Sequence, residues 1–157
     1  MHKIFKQLFL KDLAASDKSG FNEHDYQLAT SVLLIEMARA DTKIGNDELK
    51  TINKTLQETF KLDITDTTAL MELAGSEVEH ATSLHVYTSA LNKHLSSTQK
   101  THLVELLWLV AFSDGHIDRY EDHFVRKIAD LLHLKHSVLI KAKHKMQQLS
   151  AQLTKEH

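Results

Sequence analysis

Proline is absent from this chain of 157 residues, and glycine occurs only four times. Because proline interrupts helices, and because both residues favour tight turns, this composition suits a chain with long helices and few tight turns. Apolar residues recur three and four positions apart, and no segment alternates apolar and polar side chains for long. The sequence therefore predicts an all-α protein.

The length is that of one domain, and no linker or low-complexity segment divides it. We expect a single compact domain over residues 1–157, with its core at about residues 22–153. The periodicity predicts seven or eight helices. One is a short N-terminal helix in residues 1–15, and the others lie at about residues 23–40, 46–60, 66–80, 83–95, 96–113, 118–133 and 137–153. Gly75 lies inside its predicted helix or at the end of it. Ser96 and Gln99 predict a capping box, and Asp118 is the predicted cap of the helix that begins there.

The N-terminal segment, residues 1–15, has an amphipathic pattern. Its apolar residues have helical spacing, and three lysines interrupt them, so it lacks the long uncharged stretch of a signal peptide. We predict a helix that packs on the body of the domain, and a helix lying on a membrane surface is the alternative. The apolar residues are Ile4, Phe5, Leu8, Phe9 and Leu13, and the lysines are Lys3, Lys6 and Lys11.

Charge, cysteine content and motifs exclude several functions. The net charge of −2 argues against a dedicated nucleic-acid-binding protein, which would normally be strongly basic. The absence of cysteine excludes disulfides, thiolate zinc sites and cysteine nucleophiles. No phosphate-binding loop or serine-nucleophile motif is present. The one His-Asp dipeptide, His24-Asp25, lies at a predicted helix start, where capping explains it. We therefore expect no enzymatic activity. No apolar stretch approaches the length of a membrane span.

Two segments, residues 33–52 and 106–125, match each other at a fixed offset. Each contains a very apolar helix, a short acidic corner and an amphipathic helix. We predict an internal helix–turn–helix duplication whose two apolar helices pack together. The matched pairs are Ala38 with Ala111, Asp41 with Asp114, Ile44 with Ile117, Glu48 with Glu121 and Ile52 with Val125.

The acidic corners admit two interpretations. In the first, each Asp accepts N–H groups of its loop, and each Glu caps the following helix, where the helix dipole favours negative charge. In the second, the carboxylates converge on a divalent cation, and oxygen ligands suit Ca²⁺ or Mg²⁺. The candidate metal ligands are Asp41, Glu48, Asp114, Asp118 and Glu121, and the residues that shape the corners are Ile44, Gly45, Gly115 and Ile117.

The repeated pattern, an apolar helix ending in Ala-x-x-Asp-Gly-x-Ile with Glu a turn later, resembles the TerB (tellurite resistance protein B) family. Asp114, Gly115, Ile117 and Glu121 match it fully. The first copy departs from it: Thr42 replaces the glycine, and Gly45 stands where the second copy has Asp118. The resemblance covers about residues 22–150.

This resemblance implies an all-helical fold of about seven helices, no known catalytic activity and a divalent-metal site at the acidic corners, with Ca²⁺, Mg²⁺ or Zn²⁺ as candidates. It also implies a bacterial protein linked to tellurite and other stress resistance. We expect a cytoplasmic protein that binds protein partners, among them a membrane-associated complex, or that forms a homodimer. The alternative function is a ligand-free interaction scaffold or adaptor.

Histidine is abundant, at 12 residues, which raises a further metal hypothesis. Two histidines flank the second corner, and they could form a mixed nitrogen and oxygen site with two aspartates. The alternative is that the histidines are solvated surface residues. The residues of the mixed site are His116, Asp118, Asp122 and His123. One face of the last helix carries basic residues that we expect to be solvated: Lys141, Lys143, His144 and Lys145.

Overall fold

The structure, a computed structural model, describes residues 22–40, 46–80, 84–113 and 117–155, and the predicted helix in residues 1–15 lies outside them. Within these ranges the chain forms seven helices and no strand, which confirms the all-α prediction. The helices are α1 (Glu23–Ala40), α2 (Asn46–Phe60), α3 (Ile64–His80), α4 (Leu84–His94), α5 (Ser97–Ala111), α6 (Arg119–Leu131) and α7 (His136–Lys155).

Helix boundaries follow the local capping chemistry. Helix α3 begins two residues before the predicted start at residue 66, because the Asp63 carboxylate accepts the Asp66 N–H at 2.7 Å and caps the helix. Gly75, which the sequence left either inside or at the end of this helix, lies inside it. The predicted capping box is present at α5, where Ser96 and Gln99 each accept the other's backbone N–H.

Helix α1 lies at the centre of the domain. It packs most extensively on α3 and also contacts α2, α4, α5 and α6. Its nearly continuous apolar sequence suits this position, since a helix that is apolar all round must be buried. The fully buried large side chains come mainly from α1, α2 and α5: Leu28, Leu33, Leu34, Met37, Ile52, Leu56, Leu91, Leu103, Leu107, Trp108 and Ile128.

The two predicted repeat units, α1–α2 and α5–α6, pack reciprocally. Helix α1 contacts α5, and the first helix of each unit also contacts the second helix of the other. Two matched pairs are buried in both copies, namely Ala38 with Ala111 and Ile52 with Val125. A pseudo-twofold arrangement would have this packing, and the duplication itself stays a prediction.

The second helix of each unit ends in the same way. Lys61, after α2, and His133, after α6, have φ angles of 55° and 61°, in the left-handed region. In both cases the next residue closes the helix end, since Leu62 N–H donates to Gln57 O and Leu134 N–H donates to Ala129 O. This is the Schellman motif, which usually places glycine at the left-handed position.

Candidate functional site

The candidate site is the corner between α5 and α6, and its entry is anchored to the core. Helix α5 ends where the Phe112 N–H donates to the Trp108 carbonyl at 3.0 Å, and the Phe112 ring stacks on Trp108 with centroids 6.1 Å apart. The Phe112 carbonyl accepts the Ser150 hydroxyl of α7 at 3.1 Å. Three contacts therefore hold the point at which the chain leaves α5.

The exit of the corner is the N-terminus of α6. Asp118 has an extended backbone (φ −74°, ψ 145°), and its Oδ1 accepts the Tyr120 N–H at 2.7 Å. This confirms the prediction that Asp118 caps the helix. Ile117, one of the residues expected to shape the corner, packs against the core. The corner is thus held on both sides by backbone and packing contacts.

Of the acidic corner residues that the structure describes, Glu121 is the buried one. It lies in the first turn of α6, and only 4% of its surface is exposed. Carboxylates are rarely buried to this extent, because removing a charge from water is costly unless nearby groups compensate it. The N-terminal end of the helix dipole supplies part of that compensation. The first turn of α6 therefore holds a buried carboxylate.

Asp122, one residue further, has a different role. Its two oxygens accept from Arg126 Nε at 2.7 Å and from Lys143 Nζ at 2.8 Å. Partial burial alone would raise the pKa of this carboxyl, but the hydrogen bonds and charges of Lys143 and Arg126 outweigh it and hold the pKa below the ordinary value. Asp122 thus pairs with two basic side chains of the protein, Arg126 and Lys143. The predicted metal site of two histidines and two aspartates therefore has no support. His123 is exposed, and His116 lies outside the described residues.

Most of the other predicted corner residues lie outside the described part of the chain. Asp41, Ile44, Gly45, Asp114 and Gly115 lie outside the described residues, and Glu48 lies in α2 with its side chain undescribed. Across the parts of the chain that the structure does describe, no three His, Asp or Glu side chains come together as a group that could hold a metal. The structure therefore places Asp118 and Glu121 three residues apart at one helix start.

Two polar clusters lie away from the corner, and the sequence analysis missed both. Glu105 of α5 accepts from Lys145 of α7 at 2.9 Å and contacts His102 Nδ1 at 3.1 Å. Tyr87 of α4 donates its hydroxyl to Glu77 of α3 at 3.0 Å, and both side chains are buried. The His102–Glu105 spacing was visible in the sequence as neighbours on one helix face, whereas no local signal joins residues on different helices.

The expectation that the basic residues of the last helix form a solvated face is wrong for Lys143, whose side chain is 23% exposed, but it holds for Lys145, which is 63% exposed although it is paired. Lys143 pairs with Asp122, and Lys145 pairs with Glu105, so α7 is joined to α6 and α5 by charge as well as by apolar packing. Lys141 and His144 are exposed, as predicted. Within the described residues, no helix combines the length and apolar character that crossing a membrane requires.

Taken together, these features define a class: an all-helical domain in which two buried helices each lead through an acidic corner into an amphipathic helix. The family model described as tellurite resistance protein TerB matches the chain over residues 27–144, which is more than half of its length. The chain therefore belongs to the TerB family, whose members are tellurite resistance-associated and generally non-catalytic helical domains. No curated protein and no solved structure matches it.

Proposed function

We propose that this chain is a non-catalytic tellurite-resistance module that binds a divalent cation at the corner between α5 and α6. The observation that carries the proposal is the burial of the Glu121 carboxylate in the first turn of α6, three residues from Asp118. With Asp114 from the intervening loop, these side chains offer only oxygen ligands, which favours Ca²⁺ or Mg²⁺ over Zn²⁺.

The first corner is the weaker candidate for such a site. Its acidic residues, Asp41 and Glu48, match those of the second corner in the sequence, but Gly45 stands where the second corner has Asp118. The cation would therefore have one ligand fewer there than at the second corner. We propose binding at the second corner first.

A ligand-free adaptor is the second candidate function. One observation favours it: Asp118 already uses Oδ1 to cap α6, which is a structural task that needs no cation. In this case the acidic residues serve only to begin the helices, and the protein acts through its surface. Under both candidate functions the protein is cytoplasmic and contributes to stress resistance. It binds protein partners, among them a membrane-associated complex, or it forms a homodimer.

An amide-shift titration distinguishes the two candidates. The cation-free protein, labelled with ¹⁵N, is titrated separately with Ca²⁺, Mg²⁺ and Zn²⁺ while its NMR spectrum is followed. We expect saturable shifts at residues 113–122 with Ca²⁺ or Mg²⁺, and weaker binding for Glu121→Gln. A saturating cation should also raise the free energy of unfolding, by about 2.7 kcal/mol at a concentration one hundred times the Kd.

The variant Asp118→Asn separates capping from cation binding. Asparagine caps helices about as well as aspartate, so this variant keeps the cap and removes the charge. We expect it to fold normally and to bind the cation more weakly. Asp130→Asn, which changes an exposed carboxylate at the far end of α6, is the matched control and should bind as wild type does. If no cation shifts the corner amides, the adaptor function replaces the metal-binding one.

A further inference from the structure

A shallow apolar groove lies between the first half of α1 and helix α3. Four residues of α3 line it from one face of that helix, since they are spaced three, four and seven positions apart. Ala69 is exposed, and Leu62 and Leu73 are only half-buried. The groove has a volume of about 320 Å³, and its lining is His24, Gln27, Leu62, Asp66, Ala69, Leu70 and Leu73.

The surroundings of this α1–α3 groove are acidic. Glu23 precedes the lining residue His24 on α1, and exposed Asp63 and Asp66 lie at the start of α3. The described residues of α1 and α3 contain one lysine or arginine, Arg39, in the last turn of α1. Exposed Lys61 directly precedes the lining residue Leu62, so three acidic side chains and one lysine lie beside the groove. The groove is therefore suited to a segment with an apolar face and basic flanks.

A second groove, on the opposite side of α3, has the opposite charge. It lies between α2 and α3, has a volume of about 470 Å³, and contains Lys50 and Lys54. Its apolar lining includes Ile64, which is 69% exposed. A basic segment would meet repulsion in this α2–α3 groove, so charge alone selects the α1–α3 groove for it.

The chain carries such a segment directly before α1. Residues 1–15 hold five apolar residues at helical spacing together with Lys3, Lys6 and Lys11. A helix over residues 3–13 is about 16 Å long, enough to follow the face from Asp66 to Leu73, which spans about 10 Å. The nine steps from residue 13 to residue 22 reach up to about 30 Å, and they end at the turn of α1 that lines the groove.

We propose that residues 1–15 form a helix that docks in the α1–α3 groove, with its apolar face on Leu62, Ala69 and Leu73 and its lysines beside the acidic residues of α1 and α3. The TerB family match covers residues 27–144, which include α3 but not residues 1–15. Docking would cover the groove and would withdraw the apolar face of the segment from other surfaces. It is independent of cation binding at the corner.

Photo-crosslinking in the full chain tests this placement without assuming a register. Benzoylphenylalanine replaces Phe5 in one variant and Phe9 in another, and the crosslinked peptides are identified by mass spectrometry at low protein concentration. We expect intramolecular crosslinks to residues 62–73 and to the first two turns of α1. Crosslinks to the α2–α3 groove, to another copy of the chain, or to nothing would overturn the proposal.

Charge variants supply the matched control. The pair Glu23→Gln and Asp66→Asn removes two exposed acidic charges beside the groove, and we expect the crosslink yield to fall by about twofold to fivefold, as exposed charge pairs are weak. The pair Lys50→Gln and Lys54→Gln, in the α2–α3 groove, should leave the yield unchanged. Vesicles of anionic phospholipid test the alternative partner: if the wild-type segment crosslinks nowhere and the chain sediments with vesicles, the segment is a membrane-surface helix instead.

Discussion

Lys143 of α7 donates to the Asp122 carboxylate of α6 at 2.8 Å, and the same Nζ lies 5.2 Å from the centre of the Trp108 ring of α5. One lysine thus joins three helices. Trp108 is fully buried, and the lysine lies over its ring with about a quarter of its side chain exposed. A cation in this position gains from both the carboxylate and the aromatic face.

Asp122→Asn should destabilise the protein in a pH-dependent way. The folded-state pKa of Asp122 lies below its ordinary value, because Lys143 and Arg126 outweigh the opposing effect of burial. A carboxylate of this kind stabilises the fold above the unfolded-state pKa of about 3.9 and loses that contribution as the pH falls through the folded-state value. We expect a loss of about 1 kcal/mol at neutral pH that shrinks as the pH falls below the unfolded-state value of about 3.9.

Urea unfolding at several pH values measures this difference. Asp130→Asn, on the exposed side of the same helix, is the control and should change the free energy of unfolding little at any pH. A deficit for Asp122→Asn that stays constant into strong acid would show that the asparagine is merely a poorer fit, and the ion-pair explanation would be lost.

Replacing Ser96, which caps α5, should lower the stability of the fold, whereas replacing the neighbouring Ser97 should not. The Ser96 hydroxyl accepts the Gln99 N–H at 3.2 Å, whereas Ser97, the next residue, is exposed and lies inside the helix. We expect Ser96→Ala to lower the free energy of unfolding by about 0.5–2 kcal/mol and Ser97→Ala to leave it nearly unchanged. Thermal or urea unfolding of both variants measures the comparison, and equal losses would contradict the capping role.

Local features of the fold were predictable because local chemistry determines them. The cap at Ser96 and the cap at Asp118 follow from residue type and spacing, and the central position of α1 follows from its unbroken apolar run. The Asp122–Arg126 pair was likewise visible as two residues four apart on one helix. These features need no knowledge of how the helices are arranged.

The remaining contacts depend on that arrangement, which the sequence analysis did not provide. Lys143 is 21 residues from Asp122, and Tyr87 is ten residues from Glu77 and lies on the next helix. Periodicity shows which face of a helix is apolar but not which helix it meets, so the basic residues of α7 were expected to be solvated. At the candidate site, the cap at Asp118 and the packing of Ile117 against the core were predictable from the sequence. The degree of burial of Glu121 was not.

Glycine at the left-handed helix ends should stabilise the fold. Lys61 and His133 adopt positive φ angles that cost about 1 kcal/mol or more for residues with a β-carbon. Lys61→Gly is therefore expected to raise the free energy of unfolding by about 0.5–1 kcal/mol, the gain being reduced by the greater flexibility of the unfolded chain. Lys61→Ala removes the same charge but keeps the strain, so it should give no such gain. If both variants changed stability alike, backbone strain at residue 61 would not be the cause.

The buried pair of Tyr87 and Glu77 should limit stability in alkali. Burial raises the pKa of the Tyr87 hydroxyl, and the neighbouring Glu77 charge and the hydrogen bond to it raise it further. Tyr87→Phe removes a buried hydrogen bond to a carboxylate, so we expect it to cost about 1.5–3 kcal/mol near neutral pH.

A tyrosine with a raised folded-state pKa stabilises the fold below the unfolded-state pKa of about 10, and this contribution declines as the pH rises above it. The deficit of the variant should therefore begin to narrow as the pH rises above about 10. Urea unfolding across this range measures it, with Tyr120→Phe, at a side chain that is 55% exposed, as the control. A deficit that does not vary with pH would mean that packing around the ring, rather than the bond to Glu77, sets the cost.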